Sequence, residues 1–236
     1  MGRLFVIESG SDASGKATQT ELLYNRLLMD GYNVRKVEYP NYNSESSALV
    51  KMYLKGDFGS NPEDVNPYIT STFYAIDRYA SYKTKWEEFY KSGGIIIADR
   101  YTTSNMVHQA AKYENYEDKD KFLKWLAEYE FDFYGLPRPS EVFFLNMTVD
   151  FSLNLMKNRK NKITGNAKKD IHEANEAYLR KSYENALYVA KKYDWKNIEC
   201  TKDSSLRTIK DIHEEIYSLI VETLKTGEDG NYFGKR

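Results

Sequence analysis

The stretch LFVIESGSDASGKATQT constrains this chain most. An apolar run at residues 4–8 passes through Gly10, Gly15 and Lys16 directly into a helical pattern over residues 16–29. The spacing is GxxxxGK. Glycines at that separation let backbone N–H groups converge on one point, and a lysine opening a helix adds a full charge to the partial positive charge already there. Phosphate is the ion such a loop suits. An ordinary glycine-containing turn can match the same spacing, so the weight lies in the strand before it and the helix after it. The nucleotide-phosphate candidates are therefore Gly10, Ser11, Asp12, Ala13, Ser14, Gly15, Lys16, Ala17 and Thr18.

Short apolar runs bounded by turn residues recur at 34–39, 95–98, 142–147 and, more weakly, 197–200. They read as buried strands. Helical spacing joins Leu22, Leu23, Leu27 and Leu28, and again Leu206, Ile209, Ile212, Ile216, Leu219 and Ile220 within residues 205–224. Strand alternating with helix predicts an α/β fold, a five-stranded parallel sheet covered by helices on both faces, as one unit over residues 1–227. Two insertions interrupt the alternation. Residues 44–93 contain Asn61-Pro62, Asn66-Pro67 and an aromatic-rich helical pattern from 68 to 90, able to serve either core or interface. Residues 157–169 are basic and poor in apolar anchors, as a mobile lid would be, although a solvated charged face has the same composition. The end of the chain, 228–236, reads as a flexible tail.

Composition narrows the function classes. Lys and Arg number 34 against 35 Asp and Glu, so no global field draws the chain to nucleic acid or membrane. No run approaches the ~20 apolar residues of a membrane span, and the expectation is a cytoplasmic protein. Cys200 is the only cysteine. It excludes an intrachain disulfide and reads as a small buried apolar residue.

One position departs from the phosphate-loop pattern. Ser or Thr ordinarily follows the lysine and ligates Mg²⁺, but here Ala17 does, with Thr18 next. Thr18, a water or a carboxylate must then fill that role. Alternatively the chain binds nucleotide without transferring phosphate.

Four segments in order, GSDASGKATQ, FYAIDRY, ADRYTTSN and GLPRPSEVFFL, resemble the thymidylate kinases over nearly the whole chain. The resemblance implies a P-loop kinase fold, ATP and dTMP as substrates, Mg²⁺ as cofactor and a homodimer. It places Asp12 near the acceptor 3′-hydroxyl, Tyr74 stacked on thymine and Arg78 against the base. A separation of four residues puts ring and guanidinium on one helical face. Asp99 is placed to organise Mg²⁺ together with Thr18, Arg100 to bind the acceptor phosphate, and Asn105 to hydrogen-bond the thymine edge. Bland surface ion pairs Asp77–Arg78 and Asp99–Arg100 are the competing account. The loop interior lacks the arginine that some thymidylate kinases carry there, so the lid is expected to supply it, with Arg159 as first candidate beside Lys16 and Arg100 as catalytic cations. The segment YPNYNSES lacks the family's arginine near the acceptor phosphate and leaves Tyr42 there. His108 falls where the family often has an aromatic beside the deoxyribose; a structural role competes. Adenine contacts are sought near Thr201 and Lys202. Another nucleotide or deoxynucleoside kinase of this fold stays open, because loop and sheet do not specify the acceptor.

Overall fold

The computed structural model describes residues 1–156, 171–172 and 175–227. The expected lid at 157–169, with Arg159, and the expected tail at 228–236 lie outside the described residues. Strands β1 (Arg3–Glu8), β2 (Val34–Glu38), β3 (Ile95–Asp99), β4 (Glu141–Asn146) and β5 (Lys196–Glu199) form a sheet in the order β2-β3-β1-β4-β5. Every pairing is parallel, with Ile7 opposite Asp99 on β3 and opposite Phe143 on β4. The helices are α1 (Lys16–Met29), α2 (Ala48–Lys55), α3 (Pro67–Ser81), α4 (Glu87–Lys91), α5 (Thr102–His108), α6 (Tyr116–Ala127), α7 (Val149–Met156), α8 (Glu176–Lys192) and α9 (Ile209–Thr226).

Why the apolar runs are continuous rather than alternating is visible in β1. Leu4 and Val6 enter one core with Ile96, Ala98, Trp86, Met106, Phe122, Leu126 and Val189. Phe5 and Ile7 enter the other with Leu23, Leu27, Phe143, Leu145, Ile212, Ile216 and Ile220. Successive side chains point to opposite faces, so a strand covered on both sides must be apolar throughout. The expected α/β sheet is present.

Two local expectations need correction. The pattern over 205–224 is not one helix. Residues Ser205–Leu206 pair antiparallel with Thr201–Lys202 as a small hairpin, β6 (Thr201–Lys202) and β7 (Ser205–Leu206), and α9 starts at Ile209. Thr208 sets that start, its side chain accepting from Asp211 N at 3.1 Å. The aromatic-rich stretch from 68 to 90 is also not one α-helix. A wide π turn at Tyr82–Trp86 separates α3 from α4, with Trp86 1% exposed in the core.

Candidate active site

The phosphate loop lies between the end of β1 and the start of α1. The N-terminus of α1 carries no side-chain cap and no acidic residue in its first turn. Its N–H groups are therefore available to an anion. Gly15 caps the helix at φ 90°, a left-handed conformation that glycine enters without strain. Lys16 is buried. Its Nζ donates to Ser9 Oγ at 2.6 Å, Ser11 O at 2.9 Å and Ser14 Oγ at 3.3 Å. Burial, and next the charge of Arg100, lower its pKa from 10.5 to about 8.

This loop forms one wall of a cavity of about 600 Å³. Residues 12–18 line it, whereas Gly10 and Ser11 do not. Gly10 instead sits against α8, where an added Cβ would lie 2.9 Å from Ala186 Cβ. Tyr42, Tyr74, Arg78, Asp99, Arg100, Asn105 and His108 share the cavity with the loop. So the structure brings together every described cation and aromatic singled out from the sequence for the acceptor.

The surface ion-pair reading of the Asp-Arg pairs does not hold. Asp77 is 1% exposed and accepts from Asn41 N at 2.8 Å and Ser46 Oγ at 2.6 Å, so it ties α3 to the loop after β2. Arg78 turns the other way. Its Nε and Nη2 each donate to Glu130 at 2.6 Å, and Nη1 donates to Tyr101 O at 3.3 Å. Burial opposes the Arg78 charge, but the Glu130 carboxylate outweighs it and raises the pKa.

Arg100 follows β3 with φ 65°, uncommon for a non-glycine residue, and its amide donates to Ile7 O at 3.1 Å. Strain of that kind gathers at ligand sites. The guanidinium bonds Asp12 and donates to His108 Nε2 at 3.2 Å, with Glu8 3.7 Å away. Burial acts against its charge, and Asp12, Glu8 and Asp99 together raise its pKa. His108 is held neutral, its pKa pushed well down by burial and by Arg100.

Sequence reasoning missed the carboxylates behind this layer. Glu8 is fully buried and accepts from Ser9 N at 2.9 Å, Thr103 Oγ1 at 2.7 Å and Ser104 Oγ at 2.6 Å, which fastens the start of α5 to the end of β1. Glu130 does the same for α3 and α5. His172, also on the cavity wall, is neutral with a pKa of about 3 caused chiefly by burial. An acidic residue ending the apolar run of β1 was the available signal for Glu8; for Glu130 and His172 nothing local marked them.

Asp99 and Thr18 both line the cavity, and both offer oxygen to a hard cation. No cluster of three or more His, Cys, Asp or Glu side chains able to hold a metal occurs among the described residues. The donor set fits a Mg²⁺ that arrives with nucleotide phosphates and water as its other ligands.

Comparison with known proteins agrees with this geometry. The profile of the thymidylate kinase family matches residues 7–216. Thymidylate kinase of Plasmodium falciparum is 23% identical over 228 residues, covering 97% of this chain and 94% of that protein. The Mycobacterium tuberculosis enzyme is 28% identical over 167 residues, 70% of this chain and 75% of that one. In fold, the thymidylate kinase of Candida albicans superposes with a TM-score of 0.68 at 19% identity, over 96% and 94% of the two chains. With the profile spanning most of the sequence and a phosphate loop, two arginines and an aromatic wall facing one cavity, this chain belongs to the thymidylate kinase family.

Proposed function

We propose that the chain transfers the γ-phosphoryl group of ATP to dTMP, giving ADP and dTDP. The observation that carries this reading is the shared cavity, in which an uncapped helix N-terminus with Lys16 adjoins a wall of Tyr74, Arg78 and Asn105. The first end suits polyphosphate and the second a planar base. An oxygen of the acceptor phosphate attacks the γ-phosphorus in line, and the bond from that phosphorus to the β–γ bridging oxygen breaks as ADP leaves. The second pKa of a phosphate monoester lies near ~6, so the nucleophile is already ionised and needs no strong base. Alignment and charge neutralisation remain as the protein's work.

Lys16 neutralises the donor phosphates. Arg100, now paired with Asp12, has a second anionic partner to accept in the dTMP phosphate, and its raised pKa keeps it charged in both states. Asp12 is then released toward the 3′-hydroxyl. Asp99 and Thr18 would hold Mg²⁺, which supplies charge neutralisation when bound. Tyr42 flanks the acceptor phosphate, Tyr74 stacks on the base, and His108, neutral, flanks the sugar. Arg159 is proposed as the lid's cation from the family resemblance alone. We assign the chain to the cytoplasm as a homodimer on the same ground; none of the described helices is long and apolar enough to cross a membrane.

Steady-state rates with dTMP, dUMP, UMP and thymidine test the proposal. dTMP is expected to give the highest kcat/KM, and preference for unphosphorylated thymidine overturns it. Nucleotide binding with no dTDP at any Mg²⁺ concentration would instead favour the non-catalytic reading raised by Ala17.

A further inference from the structure

The part of the cavity wall formed by Asn105 and Arg78 rests on an acid that does not itself line the cavity. Glu130 is fully buried and accepts from Arg78 Nε and Nη2, both at 2.6 Å, Thr102 Oγ1 at 2.9 Å and Asn105 Nδ2 at 3.0 Å. It sits in a π turn at Glu128–Phe133 that continues α6, and such turns often occur at functional sites.

The consequence falls on Asn105. Its Nδ2 also donates to Ser71 O at 3.2 Å, so both amide hydrogens go to groups that can only accept. Turning the amide over would set Oδ1 against a carboxylate and a carbonyl, exchanging two attractions for two repulsions. The orientation is thus fixed by chemistry rather than chosen. Among the described residues nothing donates to Asn105 Oδ1, and the residue lines the cavity. What it can offer a base is an acceptor.

We propose that Glu130 is the positioning residue for base choice, holding Asn105 with its acceptor toward the pyrimidine and Arg78 with its donors beside it. This rests on the dTMP reading above. An imide base, thymine or uracil, presents an N3–H donor next to the O4 acceptor and matches the pair. Cytosine presents a bare N3 lone pair next to an amino donor and meets both groups with the wrong sign. A buried polar group left facing its own kind is what makes such discrimination large.

Glu130→Gln replaces one carboxylate oxygen by an NH₂ that faces donors, so one of the two acceptors that fix Asn105 is lost and the turned-over amide, opposed only by Ser71 O, becomes populated and presents N–H to the base. The test is kcat/KM for dTMP and dCMP in the wild-type chain, E130Q, N105A and the double variant. The dTMP:dCMP ratio is independent of the folded fraction, so a merely structural role would not move it. Wild type is expected to favour dTMP by at least about 100-fold, and E130Q to narrow that ratio at least tenfold, mainly through a raised KM for dTMP. In the N105A background E130Q should change the ratio less than it does in the wild-type background, the remainder passing through Arg78. If E130Q does not fold, E130D is used instead: it keeps the counter-charge of Arg78 but, one methylene shorter, draws the carboxylate back from Asn105, and a narrowed ratio is again the expected result. A wild-type chain that prefers dTMP while folded E130Q keeps the full ratio overturns this inference alone. A wild-type chain that transfers nothing to dTMP overturns the proposed function and this inference with it.

Discussion

Lys16 Nζ bonds Ser9, Ser11 and Ser14, and burial and Arg100 bring its pKa down to about 8. Between about 8 and 10.5 the folded chain has released that proton while the unfolded chain still holds it. Unfolded chains then bind more protons, so this residue's contribution to stability rises with pH across the window; its penalty, on the order of 3 kcal/mol, is present in full below pH 8. Bound phosphate favours the charged form. ATP binding should therefore take up a proton above about pH 8, with affinity level below that pH and weakening up to about tenfold per pH unit above it. Calorimetric titration of ATP across this range checks it, and an affinity unchanged well above pH 8 would show that Lys16 does not contact the phosphates. In K16A turnover should nearly vanish and the pH dependence disappear with it. Lys16 was legible because its chemistry is local, a spacing of a few residues. Glu130 was not, because its meaning arises only when Arg78, Thr102 and Asn105, far apart in sequence, converge on it.

At the level of elements, two glycines of one loop serve different ends. Gly15 needs its left-handed φ of 90°, and no atom lies within 4 Å of where its Cβ would be. Gly10 needs closeness, since a Cβ there would lie 2.9 Å from Ala186 Cβ and 3.0 Å from Tyr183 Cα, both on α8. Gly15→Ala should cost roughly 1 kcal/mol, a purely conformational penalty. Gly10→Ala must push the loop off α8 and should cost about 1–3 kcal/mol, with kcat falling as Lys16 moves relative to the acceptor. Urea denaturation and dTMP turnover of the two variants separate these effects; a G10A chain as stable and active as wild type would show that the loop can move away from α8 freely. From the sequence both glycines carried the same explanation, because packing partners are invisible to spacing. The sheet was legible for the opposite reason: β1, β3 and β4 are buried on both faces and so are apolar at every position inside. The β6–β7 hairpin was misread because Leu206 happens to fall in helical phase with Ile209 and Ile212. Thr208 followed by Asp211 was the cap signal that should have moved the helix start.

For the whole molecule, α3 joins two surfaces. Its inner face carries Asp77 and Arg78, which hold the loop after β2 and the cavity wall in front of Glu130. Its outer face leaves Ile69 52% exposed, Ile76 41% and Tyr79 41%, and Tyr134 packs 5.2 Å from the Tyr79 ring beside Phe133, itself 81% exposed. Isolated exposed apolar residues are ordinary, but a run of them along one helix next to an exposed Phe is how a buried interface looks from one side. A near-neutral chain has little net repulsion to keep copies apart. If a second copy covers α3 across a two-fold axis, the same patch meets itself, and one substitution inserts two charges into the contact. Ile76→Glu should then convert a dimer to monomers in sedimentation velocity. Because Asp77 and Arg78 sit on the same helix, KM for dTMP should rise in the monomer more than KM for ATP. A wild-type chain that is monomeric at assay concentration, or an I76E chain that remains dimeric, would remove α3 from the interface and leave its outer stripe as plain surface.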